Sequence, residues 1–176
     1  MIRTSDIDTP LGKMVAAATK EGICLLRFAD GPPPGSDLEA LSKIFGVEVE
    51  RGENRQLRRL KKQLKEYFTG KRKEFRLRLL TQGTGFQKSV WESLQGIPYG
   101  KTISYLEHSR ILGNPEAVRA VAHANGENRI VIVIPCHRVI GADGSLVGYG
   151  GGLERKRWLI DHEKKYSGQA VDGTLF

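Results

Sequence analysis

Residues 104–125 read SYLEHSRILGNPEAVRAVAHAN, and this stretch decides the character of the second half of the chain. Ser104 to Leu112 has the apolar spacing of a short helix, Gly113-Asn114-Pro115 supplies turn residues, and Glu116 to Asn125 predicts a second helix. Asn114 is placed as the cap of that helix and Pro115 at its first position, where a missing N–H costs nothing. Ala117, Val118, Val121 and Ala122 would face inward, and Glu116, Arg119 and His123 outward. Ala117, Ala120, Ala122 and Ala124 favour the helix and keep its surface thin. Two helices across a glycine-bearing turn have the form of a helix-turn-helix, which proteins use to enter a nucleic-acid groove and also as a plain packed corner.

Upstream, Phe86, Val90, Trp91 and Leu94 suit one more helix, closed by Ile97-Pro98-Tyr99-Gly100. Thr81-Gln82-Gly83-Thr84-Gly85 is a polar, glycine-bearing break that divides the chain into a first domain, 1–81, and a second, 82–176. The first domain reads as α/β. Gly12 to Thr19 and Ile23 to Phe28 flank the turn Lys20-Glu21-Gly22 as a hairpin, and Phe75, Leu77 and Leu79 alternate with Arg76 and Arg78 as in a half-buried strand. Ser36 offers a cap to a helix bearing Leu38, Leu41, Ile44 and Phe45, which Gly46 ends. A stronger helix carries Leu57, Leu60, Leu64, Tyr67 and Phe68 on one side. Its other side holds Arg55, Arg58, Arg59, Lys61, Lys62 and Lys65, a basic run read as a solvated face that keeps the protein soluble.

With 176 residues, 39% of them hydrophobic and 27% charged, the chain can build a real core and is not a disordered tail. Its longest apolar run, Ile130 to Pro135, is far short of the about 20 residues of a bilayer span. The start MIRTSDIDTP shows no apolar leader, so a cytoplasmic protein is expected, with no membrane partner. Twenty-eight Lys and Arg against twenty Asp and Glu give +8, which favours an anionic partner such as nucleic acid. Cys24 and Cys136 read as reduced thiols, and they and the four histidines lack paired ligand spacing, so no metal is expected.

The chemistry gathers in Asn128 to Ile140, NRIVIVIPCHRVI. The β-branched run reads as a buried strand or extended segment from which Cys136 emerges, followed at once by His137 and Arg138. A free thiol is only a few per cent ionised at neutral pH, so a nucleophilic cysteine needs a base or positive charge nearby, and these neighbours supply both. The plain alternative is an inert buried thiol. Neighbours on an extended segment point to opposite faces, so contact between Cys136 and His137 needs a bend at Pro135 or a bridging water. In the last helix, Leu153 to Tyr166, Glu163 falls on the side of Leu159 and Ile160 and is thus buried, either as the carboxylate that orients His137 or in a structural ion pair with an Arg or Lys.

Ile134-Pro135-Cys136-His137-Arg138-Val139-Ile140 resembles the active-site motif of the O6-alkylguanine-DNA alkyltransferases, the methylated-DNA–protein-cysteine methyltransferases. The resemblance runs on through FQKSVW at 86–91, ISY at 103–105, GNP at 113–115, RAV at 119–121, Asn128, GYGGGL at 148–153 and WLI at 158–160 to Glu163, in order and at matching spacing. TPLG at 9–12 fits more loosely. What it implies is a ribonuclease-H-like α/β first domain with an antiparallel sheet and helices, then a mainly α second domain with the helix-turn-helix. The implied activity is direct reversal of O6-alkylguanine damage, with O4-alkylthymine as a further substrate.

In that scheme Cys136 keeps the alkyl group as a thioether, His137 withdraws its proton through a water, Glu163 orients His137, and Asn128 braces the cysteine segment. One turnover and no cofactor are implied. Arg119 would fill the place of the flipped-out nucleotide, Tyr105 would press on the backbone, and Asn114 would touch DNA. Tyr105, Val139, Tyr149 and Gly150 would line the base pocket; Gly150 stands where some relatives carry serine, implying a roomier pocket. Zinc in the first domain of some relatives relies on cysteines and histidines, of which this half holds only Cys24, so no structural zinc is implied. The implied partner is double-stranded DNA carrying O6-alkylguanine, bound by a monomer with cooperativity left open, in the cytoplasm at the nucleoid or in a eukaryotic nucleus. The rivals are a lesion binder that transfers nothing, a thiol hydrolase with turnover, and a sequence-specific regulator.

Overall fold

The computed structural model describes residues 1–168 of the chain, which divides into two units, Met1–Gln82 and Gly83–Phe176. The first is α/β. Strands β1 (Ile2–Thr9), β2 (Gly12–Ala18) and β3 (Ile23–Phe28) form an antiparallel meander, and β4 (Val49–Arg51) joins the far side of β1 in parallel, giving the order β3-β2-β1-β4. The Ile23 hairpin is as expected, but β1 and β4 carry no clear alternation in sequence and owe their state to pairing. Central β2 is buried from Met14 to Ala18, and its small Ala16 and Ala18, on the face opposite Ala17, leave room for a helix on the sheet.

That helix is α2 (Arg55–Phe68), which follows α1 (Pro34–Phe45). Asn54 caps α2 by accepting from Leu57 N at 2.9 Å, and Leu57, Leu60, Leu64 and Tyr67 are fully buried beneath it. α1 ends at Gly46, whose φ of 64° suits a residue without Cβ. Its start differs from the expectation: Pro33 is the cap residue, and Ser36 lies within the first turn, its hydroxyl donating to Pro33 O. The segment Phe75 to Leu79 is not a strand beyond a single bridge of Leu79 to Ile23. Its side chains do alternate in exposure, but Gln63 on α2 takes both peptide groups of Arg76, at 2.8 and 3.1 Å, so they are lost to a ladder.

The second unit is mainly helical: α3 (Gly85–Gln95), α4 (Tyr105–Ile111), α5 (Val118–Gly126) and α6 (Leu153–Tyr166). Thr84 and Gln87 form a reciprocal capping box on α3. Trp91 on α3 donates its indole N–H to Ala124 O near the end of α5, at 2.8 Å, which fastens the helix-turn-helix from behind. α5 begins two residues later than its spacing suggests. Ala117 N–H closes a turn onto Asn114 O at 3.1 Å, so Ala117 is the cap residue, Asn114 gives its carbonyl rather than its side chain, and Pro115 stays in the turn. The inward residues are accordingly Val121, Ala124 and Asn125, while Arg119 and His123 are exposed.

A two-residue parallel pair, β5 (Ile103–Ser104) with β6 (Val139–Ile140), ties the start of α4 to the segment following Cys136. The apolar run before the cysteine is deeply buried yet is a knot of turns, not a strand. Asn128 clasps both its ends, accepting from Ile130 N at 2.9 Å and donating to Ile134 O at 2.8 Å, and Ile134 N bonds Ile130 O inside the loop. The knot forces Ile132 to a φ of 73°, a strain of about 1–3 kcal/mol for a β-branched residue. Among the described residues no helix is long and apolar enough to cross a membrane.

Candidate active site

Cys136, His137 and Arg138 form one 3₁₀ turn, so the bend expected at Pro135 becomes a short helix. Asn128, whose amide closes the preceding knot, also donates to Cys136 Sγ at 3.2 Å. Burial pushes the Cys136 thiol up, against the opposing pull of the Asn128 hydrogen bond and the Lys156 charge. At rest it is therefore a protonated thiol that needs a base at the moment of reaction.

Behind the cysteine lies a buried ionic network. His137 Nε2 meets Glu163 Oε2 at 2.7 Å, and Arg138 grips the same carboxylate with Nε at 2.8 Å and Nη2 at 3.1 Å while Nη1 donates to Ile97 O at 2.6 Å. Gly100 adds its N–H to Glu163 Oε1 at 3.3 Å; its φ is 79°, and a Cβ there would collide with Ser167 at 2.6 Å. Burial by itself would raise the Glu163 carboxyl, but His137 and Arg138, by charge and hydrogen bond, outweigh it and hold it well below the usual carboxylate range. Burial pushes His137 down, against the pull of Glu163, so the imidazole is neutral. A carboxylate only accepts, so Nε2 carries the ring proton, and the buried Nδ1, without a partner among the described residues, is left as an acceptor.

A cavity of about 380 Å³ has Cys136 in its wall, with Tyr105, Arg119, Asn125, Asn128, Tyr149 and Gly150 among its lining. Of the residues singled out from sequence, Cys136, Asn128, Tyr105, Arg119, Tyr149 and Gly150 are thus brought together around one space. His137 and Glu163 stand behind the thiol, Val139 is buried in β6 opposite Ile103, and Asn114 is exposed in the turn, away from the lining.

Lys156 was not singled out and is central here. It is fully buried, donates to Val147 O at 2.9 Å and Gly148 O at 3.3 Å, and lies 5.7 Å from the centre of the Tyr105 ring. Tyr105 Oη donates to the same Val147 O at 3.1 Å, so both side chains hold the loop that bears Tyr149. Burial brings Lys156 down to about 8, and the Cys136 charge opposes that shift. The signal was available: Lys156 precedes Leu159 by three and Ile160 by four, the same face that places Glu163 inside.

Fold and site define a class, the helix-turn-helix proteins that set a cysteine thiol beside their second helix. Residues 2–81 match the family description "6-O-methylguanine DNA methyltransferase, ribonuclease-like domain", and residues 85–165 match "6-O-methylguanine DNA methyltransferase, DNA binding domain". The chain belongs to the methylated-DNA–protein-cysteine methyltransferase family of enzymes, which repair DNA by alkyl transfer. It is 41% identical to the methylated-DNA–protein-cysteine methyltransferase of Mycolicibacterium paratuberculosis, over 100% of this chain and 99% of that protein. The crystal structure of Mycobacterium tuberculosis O6-methylguanine methyltransferase superposes with a TM-score of 0.80 at 39% identity, covering 98% of this chain and 96% of that one. That of Mycobacterium tuberculosis OGT in complex with DNA gives 0.81 at 38% identity, covering 93% and 94%.

Proposed function

We propose that this chain repairs O6-alkylguanine in double-stranded DNA by taking the alkyl group onto Cys136, once per molecule and without a cofactor. The observation that carries the reading is the polarity of the network: Glu163 fixes the His137 proton on Nε2, which leaves Nδ1 as a buried base behind a protonated thiol. A water between Nδ1 and Sγ would satisfy the orphaned nitrogen and carry the proton. As the thiolate forms, the Asn128 N–H and the Lys156 charge stabilise it.

Sγ then bonds to the alkyl carbon while the carbon–O6 bond breaks; its electron pair returns to the guanine, which takes up a proton. The product thioether has no group that water readily displaces, so Cys136 is spent. Glu163 and Arg138 act through His137 as positioning residues.

The lesion lies within a base stack, and reaching Cys136 requires flipping the nucleotide at a cost of about a few kcal/mol. Exposed Arg119, on α5 and in the cavity wall, is suited to fill the vacated stack. Tyr105 and Tyr149 would pack on the flipped base, main chain at Val139 would read it, and Asn114 would touch the DNA backbone. The missing side chain at Gly150 leaves room for alkyl groups larger than methyl, and O4-alkylthymine is a second substrate by the same chemistry. The protein would act as a monomer in the cytoplasm.

The test is to incubate the chain with a duplex bearing one O6-methylguanine and weigh the intact protein and its peptides. The expected result is a gain of one methyl group, on the Cys136 peptide, saturating at one per molecule. Tight lesion binding with unchanged mass would make the protein a damage sensor instead, and release with turnover would make it a hydrolase.

A further inference from the structure

The positive charge of this chain sits in one place. Residues 55–78, α2 and the segment after it, hold eleven Arg and Lys against two Glu, whereas the other 152 residues hold 17 against 18. The unit that carries Cys136, residues 83–176, is close to neutral, with 11 against 9. On α2, Arg55, Arg58, Lys62 and Lys65 follow one another at i, i+3, i+7 and i+10, a single stripe about 15 Å long. All four are exposed, and none forms an ion pair within 4 Å among the described residues; Glu53 feels the charge of Arg58 but is bonded to Lys61. The nearby acids are engaged elsewhere, Glu53 with Lys61 and Glu66 with Arg72. Arg59 donates to Arg76 O at 2.9 Å, which draws the segment with exposed Arg76 and Arg78 alongside the helix.

A surface built for solubility mixes its signs; a long stripe of one sign repels itself and is the footprint of a polyanion. We propose that this stripe is a second DNA contact, gripping the phosphate backbone of a duplex without reading its sequence. It supplies electrostatic attraction that the near-neutral Cys136 unit lacks, and so replaces the reading of the same run as a solvated face. The inference rests on the proposed function only in taking duplex DNA as the partner. Neutralised phosphates release counterions, so affinity should fall with salt by about 0.9 logarithmic units per contact and decade of salt, and a non-specific grip of this kind lets a protein slide while it searches.

The test compares the full chain with two double variants of equal net charge, R58Q/K62Q on the stripe and K13Q/K43Q on exposed lysines elsewhere in the same unit. Binding to an undamaged duplex is measured across a sodium chloride series. The stripe variant should show a salt slope shallower by about 2, with roughly tenfold weaker binding at low salt, while the control keeps the slope of the unaltered chain. Unchanged binding in the stripe variant, or equal loss in both variants, overturns the proposal. Alkyl transfer from free O6-benzylguanine should be the same in all three proteins. Failure of the unaltered chain to take an alkyl group from duplex or free base would overturn the substrate reading instead, and the salt slopes distinguish that result.

Discussion

Cys24 and Cys136 lie at nearly the same depth, 2% and 7% exposed, and burial pushes both thiols up. Their company differs. Cys24, on β3, packs in a cluster with Ile2, Val15, Leu25 and Leu41 and meets only backbone groups, its Sγ donating weakly to Ala17 O at 3.4 Å; its thiol is pushed up to about 12. Cys136 has an amide N–H at 3.2 Å, a buried ammonium whose charge reaches it, and a neutral imidazole as its chain neighbour. The low-dielectric interior that silences the first thiol magnifies every charge placed beside the second. Burial therefore does not tell the two thiols apart; the polar groups buried with the sulfur do.

Exchanging each cysteine for alanine is the most direct way to break this contrast. C136A should lose alkyl transfer completely and still bind DNA, whereas C24A should transfer at the unaltered rate and lose only about 1 kcal/mol of stability, seen as a lower urea midpoint. Transfer surviving in C136A, or vanishing in folded C24A, would erase the distinction. Next in size is E163Q, which removes the charge that holds the His137 tautomer and leaves Arg138 without a counter-charge. Transfer should slow about 100-fold and stability should fall by about 3 kcal/mol; an unchanged rate in the folded variant would return Glu163 to a purely structural part.

K156M sharpens the contrast most gently. Lys156 falls to about 8 in the fold against an ordinary 10.5, so between those values the unfolded chain binds more protons and stability rises with pH. The raised Cys24 and Cys136 thiols pull the other way over the same range, so the expected outcome is a difference: the urea midpoint of the unaltered chain relative to that of K156M should rise from pH 8 to pH 9.5. Identical slopes would mean that burial does not suppress the ammonium.

The parts legible in sequence are those whose cause is local. Gly46 ends α1 and the hairpin into Ile23 forms as read, because backbone conformation and nearest-strand pairing suffice for both. Helical spacing puts Glu163 on the inner side of α6, and it puts Lys156 on the same side, although lysine is so seldom buried that spacing alone does not announce it. Conformation was less legible where a side chain elsewhere claims the peptide groups. Ile130 to Ile134 announces burial, but strand and knot bury it equally, and the Asn128 amide chooses between them. Gln63 plays that part for Arg76. The strand β1, interrupted by Ser5, Asp6 and Asp8, becomes visible only through neighbours paired on both its edges.

The bond from the Trp91 indole to Ala124 O has one more consequence. A buried indole whose N–H is fixed to a carbonyl emits according to that local dipole, and this carbonyl belongs to the last turn of the helix that displays Arg119. Any ligand that lifts or tilts α5 changes the field at the ring. The molecule thus contains an intrinsic optical gauge of that helix's seating, legible in its own fluorescence without a dye.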